Sequence, residues 1–190
     1  MLVTTSKATD QVLAGVSKSG MSGDSAHAYG VFTFQCFDKD GNLKWEETAE
    51  NMVVNQGLQD MNTQYFKASG YTAAWYLGLV TGPGSGNTYA AGNTLASHTG
   101  WTENTSYSGT RKAVTFGTAT TADPSVISNS ASPSTFSMTG STTIAGAFLA
   151  SVSSGTSGIL FSVANFQSPG DRTVVSGDSL NVTYTFNLQY

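Results

Sequence analysis

The strongest constraint on what this chain can fold into is a period of two. Leu180, Val182, Tyr184, Phe186 and Leu188 alternate with Asn181, Thr183, Thr185 and Asn187. Successive side chains of a strand point to opposite faces, so this run predicts a long strand with one face buried and the other wet. Ser176-Gly177-Asp178 ahead of it is turn chemistry. Phe32, Phe34 and Cys36 alternate with Val31, Thr33 and Gln35, Asp38-Lys39-Asp40-Gly41 follows, and Leu43 and Trp45 resume the alternation. That pattern predicts a β-hairpin over 28–49, with Gly41 supplying a positive φ and the aspartates bonding nearby amides.

Further runs with strand character begin at Trp75, Leu77 and Leu79 and continue over 111–119, 134–138, 142–152, 158–166, 172–175 and 179–189. The period changes once. Val54, Leu58, Met61 and Tyr65 lie four, three and four residues apart, which predicts one short α-helix near 55–67 with Asn55 as its N-cap. About eight or nine strands and one helix make the chain mainly β, an antiparallel β-sandwich of jelly-roll-like or Ig-like form. Its 190 residues fit one domain over 28–190. Residues 1–27 read as an N-terminal arm whose apolar cluster is Val12, Leu13 and Val16. Such an arm stays flexible or orders on assembly.

Composition excludes several classes. Only 11% of residues are Asp, Glu, Lys or Arg, against about 25% in an average domain. The net charge of −4 gives no basic surface for nucleic acid. No apolar stretch is long enough for a membrane helix, and residues 1–20 lack the pattern of a signal peptide. A single cysteine, Cys36, forbids an intrachain disulfide and reads as a small buried hydrophobe. The charge is also unevenly placed: residues 113–170 hold only Asp123. Either Ser and Thr solvate that region, or neighbouring subunits cover part of it.

No motif spells out chemistry. Asp38-Lys39-Asp40-Gly41-Asn42 begins like a calcium loop, but its glycine is at position four and position twelve is Ala49, so the turn is preferred. Gly82-Pro83-Gly84-Ser85-Gly86-Asn87 lacks the lysine and helix start of a phosphate loop. No Gly-x-Ser-x-Gly elbow accompanies His27 or His98. Glu46 and Glu47 fall on opposite strand faces, which does not suit a glycosidase pair. Three His and Cys residues in all cannot make a zinc site. Aromatic residues including Tyr71, Trp75 and Tyr76 serve either as core and subunit contacts or as a sugar-binding groove. The candidate contact region is Tyr89, His98, Trp101 and Tyr107. No catalytic residue, metal or cofactor is expected.

A series of matches carries one resemblance. It runs Phe34-x-Cys36-x-Asp38-x-x-Gly41-x-x-x-Trp45, then Asn51-x-Val53-Val54-Asn55-x-Gly57, then Trp75-Tyr76-Leu77-Gly78-Leu79. Gly100-Trp101-Thr102-Glu103, Gly146-Ala147-Phe148-Leu149 and Arg172-Thr173-Val174-Val175-x-Gly177-Asp178-x-Leu180-x-Val182-Thr183-Tyr184 follow. Over about residues 30–190 the chain resembles a family of small structural proteins of tailed bacteriophage virions. The resemblance implies a head decoration (cement) protein with no enzymatic site, made in the host cytoplasm and placed on the capsid exterior. Its implied partners are the major capsid protein and further copies of itself, as a dimer or trimer, with no nucleic acid or membrane. The competing expectation is a tail- or fibre-associated receptor- or glycan-binding protein.

Overall fold

The computed structural model describes residues 26–67, 74–166 and 170–189. The expected content of most of the N-terminal arm, and Tyr71, therefore lie outside the described residues. Two antiparallel sheets pack face to face. The front sheet holds β1 (His27–Phe37), β2 (Leu43–Glu50), β7 (Ser125–Ser128), β8 (Ser134–Ser137) and β12 (Ser179–Gln189), in the order β2-β1-β12-β7, with β8 also on β12. The back sheet runs β3 (Met52–Val53), β10 (Leu160–Asn165), β9 (Thr142–Ala150), β4 (Tyr76–Thr81) and β5 (Glu103–Asn104). There β11 (Arg172–Val174) pairs with β9 and β6 (Lys112–Ala113) with β4. Among the described residues one α-helix, α1 (Asn55–Lys67), follows β3 and precedes β4 in the chain. The mainly β sandwich with one helix is as the periodicity predicts. Among the described residues there are twelve strands: the two-residue β3 and β5 and the four-residue β7 leave no alternating pattern long enough to read, and the expected run over 111–119 shrinks to β6.

The hairpin forms where the alternation places it. Phe32, Phe34 and Cys36 are fully buried, and β1 pairs along its whole length with β12. In the turn, Asp38 Oδ1 accepts from the backbone N–H groups of Asp40 and Asn42, both at 2.9 Å, and Gly41 sits at φ +85°. The carboxylate is thus committed to its own turn. Glu46 and Glu47 do face opposite ways: Glu46 accepts from Gln35 on the outer face, and Glu47 pairs inward with Arg172 at 2.5 Å.

The helix departs from expectation in two respects. The Val54 carbonyl accepts from the Leu58 N–H, so Val54 is the cap and Asn55 the first helical residue. The Asn55 N–H is instead used outside the helix, donating to the Ala91 carbonyl at 2.8 Å. The packed face is also rotated from the predicted one. Gly57 and Asp60 are buried, whereas Leu58 is 42% and Tyr65 83% exposed. The cause is a close approach: a Cβ on Gly57 would stand 2.4 Å from the Phe161 carbonyl oxygen. Helix and strand backbone can touch only where that side chain is missing, so the glycine, not the leucine, defines the contact.

The region with little charge also has a physical explanation that composition did not reveal. β9 and β10 are buried on both faces. Ile144, Ala147, Leu149, Phe161 and Ala164 enter the core between the sheets. Ala145, Phe148, Ala150, Leu160 and Val163 enter a second core on the opposite face of the back sheet, closed by Val54, Val80, Leu95 and Trp101. A strand covered on both sides reads as a continuous apolar run, and an ionised group there would be desolvated. Cover for these strands comes from the chain's own segment around Leu95–Trp101. Other parts of this region, at 117–122 and 130–133, are exposed and rich in Ser and Thr.

Cys36 takes the role of a buried hydrophobe. Its thiol lies 3.9 Å from Asp178 Oδ2, while Asp178 pairs with Lys44 at 2.5 Å. Burial, helped by the Asp178 charge, pushes the thiol pKa up to about 11. A group whose folded pKa is raised stabilises the fold fully below its unfolded value and loses that contribution as pH climbs through the folded one. Stability is therefore expected to fall between about pH 9 and about pH 11. Thiol titration at pH 8 should find no reactive group in the native protein and about one per chain after denaturation. Rapid native labelling would contradict this placement.

Candidate functional site

Three features qualify for consideration: the aromatic cluster expected from sequence, a cleft at one end of the sandwich, and the outer face of the front sheet.

The structure brings together three of the four candidate residues. His98 stacks on Trp101 with ring centroids 4.0 Å apart and planes 21° apart, and its Nδ1 donates to the Trp101 carbonyl at 3.1 Å. Tyr89 lies 6.3 Å from Trp101, its hydroxyl donating to Asn165 Oδ1 at 3.0 Å and accepting from Asn87. Burial raises the Tyr89 phenol to about 12. Trp101 donates from Nε1 to Asn93 and packs against Phe148 at 5.2 Å. These residues plug the second core. With Trp101 only 3% exposed, no ring face is free for a sugar to stack on. Tyr107 is elsewhere: it lies in the core between the sheets, edge-on to Phe136 at 4.8 Å. Burial and the nearby Glu103 charge raise its phenol.

Sequence reasoning missed the strongest polar contact near this cluster. Arg111, 5% exposed, forms a two-point pair with Glu103: Nε to Oε1 at 2.9 Å and Nη2 to Oε2 at 2.7 Å. Its Nη1 donates to the Val152 carbonyl and the guanidinium sits 5.1 Å above the centre of the Phe148 ring. Trp101 and Glu103 of the Gly100–Glu103 motif thus both hold the irregular segment onto the back sheet. Seven residues of mostly irregular chain lie between the two ionic partners, so no periodic pattern announces them.

The cleft, of about 470 Å³, opens between the sheets beside α1. Trp75, Phe116, Ile127, Leu149, Phe161 and Phe186 are among its lining residues, with Asp60, Met61 and Gln64 contributed by the helix. Gln64 Nε2 donates to Asp60 Oδ1 at 3.1 Å. At the inner end the Tyr184 hydroxyl accepts from Asn51 Nδ2 at 2.9 Å, and burial raises that phenol. Among the described residues, no group of three or more His, Cys, Asp or Glu side chains is arranged to hold a metal ion.

The outer face of the front sheet follows from the strand register. Residues opposite one another across β1, β12, β7 and β8 include Gln35–Asn181–Thr135, Thr33–Thr183 and Val31–Thr185–Ser128. Thr135 Oγ1 donates to Asn181 Oδ1 at 2.7 Å, and the Ser128 and Thr185 hydroxyls lie 2.9 Å apart. Both apolar clusters lie on other faces. The outward residues here carry no formal charge until the β2 edge, where Glu46 and Glu50 stand. At about 3.3 Å per residue and about 4.8 Å per strand, the face measures on the order of 30 by 15 Å.

Searches against protein-family models, curated proteins and solved structures return no match.

Proposed function

We propose that this protein is a structural component of a tailed-phage virion, a decoration protein that binds the outer surface of the assembled head and stabilises it by non-covalent contacts. The observation that carries this reading is the outer face of β1, β12, β7 and β8, free of formal charge and lined mainly by Thr, Asn, Gln and Ser, with Tyr29, Val31 and Val126 among them. Interface cores are depleted in charge, and neutral side chains cost less to desolvate than ionised ones. A face of this size supplies a large part of one partner's share of a standard interface, about 800 Å². The sequence resemblance supports the same reading. No catalytic residue, metal or cofactor enters it. The partners are the major capsid protein and, in a dimer or trimer, further copies of this chain. No open aromatic platform at Tyr89–Trp101 favours a glycan-binding alternative.

The test is co-sedimentation of purified protein with expanded heads that lack it. Placing charge at the centre of the face, with Thr33→Lys and Thr183→Lys together, should weaken binding at least about tenfold, which is 1.4 kcal/mol. The melting temperature should stay close to that of the parent, because both side chains point outward. Unchanged binding by the variant, or no binding by the parent, would contradict the proposal.

A further inference from the structure

The strand β2 ends the front sheet, and among the described residues it pairs only with β1. Its other side is an open edge. One bond fixes the direction of its backbone groups: the Asn51 N–H donates to the Gly30 carbonyl at 2.9 Å, toward β1. Backbone groups of successive strand residues point to alternate sides. Ala49 and Glu47 therefore also turn theirs toward β1, while Glu50, Thr48 and Glu46 turn their N–H and C=O groups outward. These three residues are exposed, and the outward groups repeat at about 7 Å, as an added strand requires.

The side chains along this edge are acidic. Glu46 and Glu50 stand on the outer face with Thr48 between them. Gln35 Nε2 donates to Glu46 Oε2 at 2.8 Å and holds that carboxylate beside the edge. Arg172 is taken by Glu47 and Lys44 by Asp178, so neither cation offsets the pair. A second copy is a poor occupant. Antiparallel pairing of two β2 strands centred on Glu46 or Glu47 sets like carboxylates face to face, and pairing centred on Thr48 sets Glu46 opposite Glu50. Like charges directly opposite are destabilising. Charge on an edge keeps identical edges apart, and it attracts a strand of the other sign.

We infer that the β2 edge takes an extended basic segment of a partner protein. The segment adds a strand to the front sheet and sets Lys or Arg side chains, four residues apart, opposite Glu46 and Glu50. Main-chain bonds to the outward groups supply the contact, and the charge pairs select the partner. This edge contact does not rest on what the outer face of the sheet binds.

The test adds the peptide Thr-Val-Lys-Val-Thr-Val-Lys-Val-Thr at millimolar concentration to the full chain and reads amide exchange residue by residue. The amides of Glu46, Thr48 and Glu50 should slow several-fold, and those of Glu47 and Ala49 should not change. A peptide with Glu in place of both Lys should have no effect. Glu46→Lys together with Glu50→Lys should reverse this preference and melt like the parent. Thr48→Pro removes the central outward donor but spares the bonds to β1, so it should weaken binding of the basic peptide without unfolding the sheet. Unchanged exchange at the three outward amides, or an equal effect of the two peptides, would overturn the inference. Protection of those amides before any peptide is added would also overturn it, whether a second copy or the chain itself covers the edge.

Discussion

Replacing Trp101 with alanine should lower the unfolding free energy by about 3–5 kcal/mol, the range for removing a buried indole. Trp101 is 3% exposed and touches three rings, those of Tyr89, His98 and Phe148, while donating to Asn93. Collapse cannot fill the void cheaply. On one side the back sheet is fixed by the β4–β9 pairing, and on the other the covering segment is pinned by the bonds from the Thr88 N–H to the Gly100 carbonyl at 2.8 Å and from the Thr81 N–H to the Thr102 carbonyl at 2.9 Å. The loss should concentrate on the segment around Leu95–Trp101, so amide exchange there should accelerate more than in β1 and β12. Denaturant melts of parent and variant give the magnitude, and exchange gives the location. A change below about 1 kcal/mol would mean that the second core is not a stabilising unit. A sugar-platform role for Trp101, by contrast, would predict little change in stability.

Replacing Arg111 with alanine should cost a comparable amount, about 3–5 kcal/mol. The loss has three parts. Glu103, 24% exposed, is left without its charged partner, the Val152 carbonyl loses its donor, and the stack over Phe148 disappears. Partial exposure of Glu103 lets water compensate it to some degree, which places the expectation at the lower end of that range. The double variant Arg111→Met with Glu103→Leu should be far less costly than Arg111→Ala, because it removes both charges and keeps the volume. If the double variant were as unstable as the single one, loss of the hydrogen bond to the Val152 carbonyl and of the stack over Phe148, rather than the unpaired carboxylate, would account for it.

Legibility in the sequence followed the physics of each element. β1, β2 and β12 were readable because each has one buried and one wet face, so polarity alternates along the chain and registers the fold directly. β9 and β10 were readable as strands, but not in their surroundings. Both faces are buried, and the missing charge of 113–170 left solvation by Ser and Thr and cover by neighbouring subunits as alternatives, whereas much of the cover of these two strands is the chain's own Leu95–Trp101 segment. The helix was found by its period, yet its buried face was misplaced. Apolar spacing selected Leu58 and Tyr65, and the contact is made where Gly57 lets the helix meet the Phe161 carbonyl. Of the candidate residues, Trp101, His98 and Tyr89 did fall together, but what draws them together is a core. Whether an aromatic residue fills a core or lines a groove depends on the elements above it, which no local pattern encodes. The neutral outer face of the front sheet emerged only from the register, which sets Thr33, Thr183 and their neighbours side by side across four strands.

The central claim is that this uncharged face binds the outside of a capsid shell. Cryo-microscopy of expanded heads saturated with the protein tests it most directly. The account predicts density on the outer surface of the head, oriented so that Thr33, Thr183 and Thr185 meet the shell. Density confined to the tail, or a bound protein that turns this face to solvent, would contradict it.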